Sequence, residues 1–175
     1  MPLLIIESLD VCLRRHDNIE SFRLNIVNTP PTAKSYAVSL LAGRDYSRKQ
    51  IQDKLVKKDY ELADIEIALD ECEASGYLND SRYAESLLRS HIYKGHGVIR
   101  IRQAMSLKGL SSDIISQVIE NSDCDWFELA KEKAIKKYAD KPIVDYNDKA
   151  KRIRFLLGQG FDYEQANYAL TINED

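Results

Sequence analysis

Cysteine is scarce in this 175-residue chain: Cys12, Cys72 and Cys124 stand far apart and form no CxxC pair. An odd, scattered set gives neither a disulfide framework nor a zinc site, and it fits a reducing cytosol. Basic excess is lacking too. With 25 Lys and Arg against 28 Asp and Glu the formal net charge is −3, so the chain does not coat nucleic acid by bulk charge. Any nucleic-acid contact has to come from a local cluster. No uncharged apolar run approaches the roughly 20 residues of a membrane-spanning helix, which excludes a helical membrane protein. The opening Met1 to Glu7 is apolar, but Glu7 and Asp10 interrupt it and no basic stretch precedes it, so no signal peptide is read and a cytoplasmic protein is expected.

Proline is rare as well, with four residues, two of them in Asn28-Thr29-Pro30-Pro31-Thr32. Adjacent prolines remove backbone donors and disfavour helix in the residue before each, so a boundary falls there. Residues 1–32 are set aside as an N-terminal arm in which no clean period emerges. Beyond it, apolar residues recur at helical spacing. Tyr36, Ala37, Leu40 and Leu41 share one helix face, and Ser47 with Gln50 has capping-box form ahead of Ile51, Leu55 and Val56. Ile65, Ala68, Leu69 and Cys72 mark a third helix, which Gly76 closes.

The same three-helix unit recurs. Tyr36-Ala37-x-x-Leu40-Leu41 returns as Tyr83-Ala84-x-x-Leu87-Leu88, about 47 residues on, and is echoed by Leu129-Ala130. Ile51, Leu55 and Lys58-Asp59-Tyr60 return as Ile101, Met105 and Lys108-Gly109-Leu110, then as Leu156 and Gln159-Gly160-Phe161. Ile65, Ala68 and Leu69 match Ile115, Val118 and Ile119, then Ala166, Ala169 and Leu170, with Asp162 placed as an N-cap. Chance matches at helical spacing do not preserve order and loop position together. The expectation is an all-α protein of three tandem three-helix modules, residues 33–79, 80–124 and 125–175, in an elongated, curved array.

Charge is unevenly spread over these modules. Residues 59–80 carry Asp59, Glu61, Asp64, Glu66, Asp70, Glu71, Glu73 and Asp80 with no Lys or Arg, an acidic face. Residues 81–110 carry Arg82, Arg89, Lys94, Arg100, Arg102 and Lys108 against Glu85, with His91 and His96 among them. Such cations can engage phosphate or a carboxylate-rich partner; the plainer reading is a set of solvated faces with local ion pairs. Lys94-Gly95-His96-Gly97 can offer backbone N–H groups to an anion or simply join two helices, and it lacks the ending of a nucleotide-binding P-loop. Among 10 tyrosines, Tyr46, Tyr77 and Tyr93 fall at module joints, where a ring can stack on a base. Tyr36 and Tyr83 sit on apolar faces and read as core, and Trp126 is expected to pack between modules. His91 and His96 are not at zinc-helix spacing, so no metal, cofactor or catalytic residue is assigned.

Three stretches resemble the RecX regulatory proteins. Leu40-Leu41-Ala42-Gly43-Arg44-Asp45-Tyr46-Ser47 running to Leu55-Val56-Lys57-Lys58 is similar to that family's LL..R.YS segment, and Gly76-Tyr77-Leu78-Asn79-Asp80-Ser81-Arg82-Tyr83-Ala84 to its GYLDD.RFA signature. Gly95-His96-Gly97 through Ile101 to Lys108-Gly109-Leu110 is similar to its G.G...I...L..KGI segment. The likeness spans roughly residues 33–170; Asp59 stands where the family has Gly, and Asn79 where Asp is commoner. The resemblance implies a non-enzymatic monomer that binds the RecA filament on single-stranded DNA in its groove and mainly inhibits recombinase, ATPase and coprotease activities. The expected contact residues are Arg82, Arg89, Lys94, His96, Arg100, Arg102, Lys108, Tyr46 and Tyr77. The rival reading is a direct DNA-binding protein of helix-turn-helix type, since Gly109 lies in a suitable turn. Against it, Ser111 to Glu120 contains no Lys or Arg with which to read a groove.

Overall fold

The computed structural model describes residues 31–139 and 141–171, so the expected arm at residues 1–32 lies, but for Pro31 and Thr32, outside the described residues. The described residues form nine α-helices and no strand. They are α1 (Ala33–Leu41), α2 (Arg48–Val56), α3 (Leu62–Ala74), α4 (Asp80–Tyr93), α5 (Val98–Leu107), α6 (Ser112–Glu120), α7 (Trp126–Tyr138), α8 (Tyr146–Gly158) and α9 (Tyr163–Thr171). All nine belong to one compact unit that begins at Ala33.

Each successive helix triplet encloses its own core, and extensive helix packing stays within a triplet. Ile51, Leu55, Ile65, Leu69 and Cys72 fill the first, Ile101, Met105, Ile115 and Ile119 the second, and Leu156, Phe161, Ala166 and Leu170 the third. These are the positions at which the apolar period recurs. A fully buried side chain of this size contributes about 1.5–3 kcal/mol, so each small core needs nearly every member.

The turn after the second helix is the same in all three triplets. Tyr60 N–H donates to Leu55 O, Leu110 N–H to Met105 O and Phe161 N–H to Leu156 O, at 3.4, 3.3 and 3.3 Å. This is the Schellman arrangement, and it demands a left-handed residue just before the apolar one. Gly109 at φ 81° and Gly160 at φ 93° supply it, whereas Asp59 takes φ 60° with a side chain attached. Asp is among the few residues that enter this region at modest cost. Caps agree with the sequence. Ser47 and Gln50 form the reciprocal capping box, and Asp162 and Gln165 form a second one in front of α9.

Between triplets the contacts are narrow and they repeat. Ser47, the N-cap of α2, donates its hydroxyl to the carbonyl of Lys108, the C-cap of α5. One triplet on, Gly97, the N-cap of α5, donates its N–H to the carbonyl of Gln159, the C-cap of α8, at 3.0 Å. Ile99 N–H adds a bond of 3.0 Å to Gly160 O. The second helices thus meet head to tail, α8 to α5 to α2, with a carbonyl at each C-terminal end taken up by the next N-terminus, through backbone N–H groups at the α8–α5 joint and through the Ser47 hydroxyl at the α5–α2 joint.

Gly97, Gly109 and Gly160 make this approach possible. A Cβ on Gly97 would overlap the Gly160 carbonyl and the Phe161 amide; on Gly160 it would overlap Arg100, and on Gly109 the side chain of Lys49. Two further contacts lock the first joint: Arg82 pairs with Asp45 at 3.0 Å, and Arg48 N–H donates to Asp80 at 2.8 Å. Trp126, at the head of α7, packs against the second core as expected.

Candidate functional site

The nine expected contact residues do not gather into one patch. Arg82 is committed to the first joint, where besides Asp45 it donates to the carbonyls of Gly76 and Tyr77. Lys108 lies at the same joint, lending its carbonyl to Ser47. Arg102 donates to Ser116 at 3.0 Å, tying α5 to α6. Arg89 pairs loosely with Glu85 at 3.8 Å on the rim of a groove of about 640 Å³ between α4 and α6, floored by Leu88, Ile92 and Val118. Tyr77 keeps 52% exposure.

Tyr46 is a correction. It retains only 8% exposure, belongs to the first core, and carries Arg44 at 4.4 Å and Lys54 at 5.1 Å from its ring centroid. No ring face is left for a base. The missed signal was the hydrophobic staple: Tyr46 precedes the N-cap Ser47 and shares a core with Ile51, four residues beyond the cap.

The acidic stretch is also less open than its composition suggests. Glu66 and Asp70 at 2.8 Å and Glu73 at 2.9 Å converge on the guanidinium of Arg48. Burial opposes its charge, but the bonds it donates to Asp70, Glu73 and Glu66 outweigh that and hold Arg48 more firmly protonated than usual. Burial also raises the Asp80 carboxyl above its ordinary value, although Arg48 N–H opposes the shift.

Three of the expected residues, Lys94, His96 and Arg100, do come together, at the second joint. They meet there a group of cations that reading residues 81–110 alone missed. Lys133 of α7 reaches across to donate its ammonium to Lys94 O at 2.6 Å, and Lys136 and Lys137 follow on the same helix. Arg100 approaches the Gly158 carbonyl at 3.4 Å, at the C-terminal end of α8. Burial first, then Lys136, Arg100 and Lys137, lowers the Lys133 ammonium below the usual lysine range.

His96 Nδ1 lies 3.0 Å from His91 Nδ1, so one ring donates and the other accepts. Burial first, then Arg100, His91, Lys133 and Lys94, brings His96 down to about 4. His91 is lowered by burial, Lys94 and Arg100. The backbone of this loop is not an anion cradle. Gly95, His96, Gly97 and Ile99 all spend their N–H groups on carbonyls, those of Ile92, His91, Gln159 and Gly160. Among the described residues no group of three or more His, Cys, Asp or Glu is placed to hold a metal ion, and no helix is long and apolar enough to cross a membrane.

Comparison with known proteins agrees with the triplet architecture. Residues 33–72 match the family domain described as RecX, first three-helix domain; residues 79–119 match the second, and residues 123–170 the third. Regulatory protein RecX of Vibrio vulnificus (strain CMCP6) is 43% identical over 145 residues, covering 82% of this chain and 95% of that one. Regulatory protein RecX of Shewanella oneidensis is 53% identical over 116 residues, 58% of this chain and 91% of its own. The crystal structure of RecX from Lactobacillus salivarius shares the fold, with a TM-score of 0.70 at 24% identity over 81% of this chain and 94% of that one. With all three domains matched in order and close relatives nearly covered end to end, the chain belongs to the RecX family of regulatory proteins.

Proposed function

We propose that this chain regulates the RecA recombinase by binding its filament on single-stranded DNA, mainly inhibiting recombinase, ATPase and coprotease activities without catalysing a reaction itself. Membership of the RecX family carries the reading. The architecture suits it: three small cores joined through narrow joints present binding surfaces along a repeating target one module at a time. We place the module limits at residues 33–79, 80–124 and 125–175, and take the active form to be a cytoplasmic monomer.

The test is to titrate the purified protein onto single-stranded DNA alone, RecA alone and the assembled filament while following ATP hydrolysis. Preferential filament binding with falling hydrolysis is expected. Undiminished hydrolysis together with equal affinity for all three would refute the reading.

A further inference from the structure

We propose that the joint between the second and third triplets, through Lys94, Arg100, Lys133 and Lys136, holds the phosphodiester backbone of a single-stranded nucleic acid, with the exposed ring of Tyr93, the residue before Lys94, taking a base. This deepens the regulator reading, on which it rests for its place in the cell but not for its test.

The first support is what the cluster lacks. Several cations elsewhere have carboxylate partners, Arg48 with three, Lys34 with Glu71, Arg82 with Asp45 and Arg152 with Asp148, and others such as Arg102, Arg44 and Lys54 lie on a hydroxyl or a tyrosine ring rather than massed together. No ion pair among the described residues involves Lys94, Arg100, Lys133, Lys136 or Lys137. Arg100 of α5 and Lys136 and Lys137 of α7 nonetheless lie near enough to add to burial in lowering the Lys133 ammonium, which itself reaches the Lys94 carbonyl at the end of α4. A counter-anion removes that repulsion.

The second support is the kind of anion. Gly95 and His96 spend their N–H groups on the Ile92 and His91 carbonyls, and Gly97 and Ile99 spend theirs on those of Gln159 and Gly160, so no backbone cup encloses a single phosphate. The cations are instead long side chains spread over two triplets. A lone phosphate meets only part of such a set, whereas a strand with a charge on every nucleotide engages it along its length.

The third support is Tyr93, the last residue of α4, which is 92% exposed immediately before Lys94 and makes no ring contact among the described residues. An aromatic face beside a cationic track is how sequence-tolerant binders hold single strands, and an acidic protein surface has no use for it.

Binding has a proton signature. His96 faces Arg100, Lys133, Lys94 and His91, and no carboxylate contributes to its shift. Burial is the largest cause of the depression and persists in the complex, but an anion among these groups relieves their repulsion and raises the ring part of the way back, so the complex takes up a fraction of a proton between roughly pH 6.5 and 4. Affinity therefore rises as pH falls through that window.

The experiment uses the full chain and a fluorescein-labelled oligo-dT, read by anisotropy across a salt series with no RecA present. The parent binds with a salt-sensitive affinity. Lys94→Gln with Lys136→Gln, both at exposed positions, lowers the slope of log affinity against log salt by about 1.4. Tyr93→Ala weakens binding on the order of tenfold at unchanged slope, and Tyr93→Phe restores it. His96→Gln flattens the gain in affinity between pH 7 and 5.5.

Inorganic phosphate competes only in large excess, and polyglutamate competes poorly. No binding by the parent, parent-like slopes in the double variant, or equal competition by free phosphate or polyglutamate each overturn the site. Because RecA is absent, loss of this site with retained inhibition of RecA hydrolysis leaves the regulator reading standing. The converse result separates the two equally well.

Discussion

Replacing Gly97 by Ala tests whether the head-to-tail joint holds the second and third triplets together. Its φ is −77°, so alanine meets no backbone strain at this position, and the stiffer unfolded chain favours the variant by about 0.4–1 kcal/mol. Against that, the added Cβ falls on the Gly160 carbonyl and Phe161 amide, which are backbone and cannot rotate away. Relief requires the joint to open, at about 1–3 kcal/mol for the overpacking. The bonds from Gly97 to Gln159 and from Ile99 to Gly160 go with it, at about 0.5–1.5 kcal/mol each. The net expectation is a loss of about 3 kcal/mol in coupling between triplets.

Since each triplet has its own core, the loss appears first as uncoupling and only then as a lower melting temperature. Hydrogen exchange is the direct assay: the amides of Gly97 and Ile99 lose protection while that of Leu110, which closes the turn after α5, keeps it. Gly158→Ala is the control. Nothing lies within 4 Å of a Cβ there, so it stabilises α8 by about 0.5–1 kcal/mol. Unchanged protection at Gly97 and Ile99 in the Gly97→Ala variant would mean that the head-to-tail joint does not hold these triplets together.

Arg48→Met leaves Glu66, Asp70 and Glu73 facing one another and costs about 1–2 kcal/mol by urea unfolding, a loss that shrinks in 1 M salt; a salt-independent loss would assign Arg48 a packing role instead. Arg152, only 3% exposed, occupies the repeat position held by Ile51 and Ile101, so Arg152→Leu is expected to be milder than Arg152→Ala by about 2 kcal/mol, and equal losses would contradict that register. The depressed His96 lowers stability as pH falls from 6.5 toward about 4, by about 1 kcal/mol once solvent screening of the ring is allowed for, and thermal melts of His96→Gln lack that fall.

What could be read beforehand was what is local. Helix faces follow from the spacing of Ile51 and Leu55 or Ile115 and Ile119, and the stops follow from Gly76, Gly109 and Gly160, because period and turn chemistry act within a few residues. Even the substitution of Asp59 for Gly was visible as a demand on the backbone, which the structure shows at φ 60°. What could not be read were meetings between distant stretches. Gly97 lies about 60 residues from Gln159, and nothing in its neighbourhood states that its N–H is already spent. The lysines of α7 were plain in Lys131 to Lys137, but only the fold carries Lys133 to Lys94. Arg152 was legible and missed. A charged residue at a repeat position that is Ile in the other two triplets signals a buried exception, and here its guanidinium binds Lys141 O, Pro142 O and Asp148.

The two joints also set the outer ends of α2 and α8 apart from the joined ones. A joint needs a C-terminal turn without a Cβ to receive the next N-terminus, and Gly109 and Gly160 provide one under Lys49 and Arg100. The equivalent turn at α2 presents Asp59, whose φ matches the glycines but whose side chain stands where an incoming helix end would have to pack. At the opposite end α8 is longer. It begins at Tyr146, with Asp145 capping it, whereas the position matching the N-caps Ser47 and Gly97 is Asp148, inside the helix. An added turn there displaces the cap from the register that a joint requires. Left-handed geometry is thus kept in all three turns for the Schellman bond, while absence of a Cβ is kept only where another helix lands. Asp59→Gly should consequently leave the fold intact and relieve local backbone strain, raising stability by about 1 kcal/mol in urea unfolding. A loss of stability in that variant would mean that the Asp59 side chain supports the turn by a contact of its own.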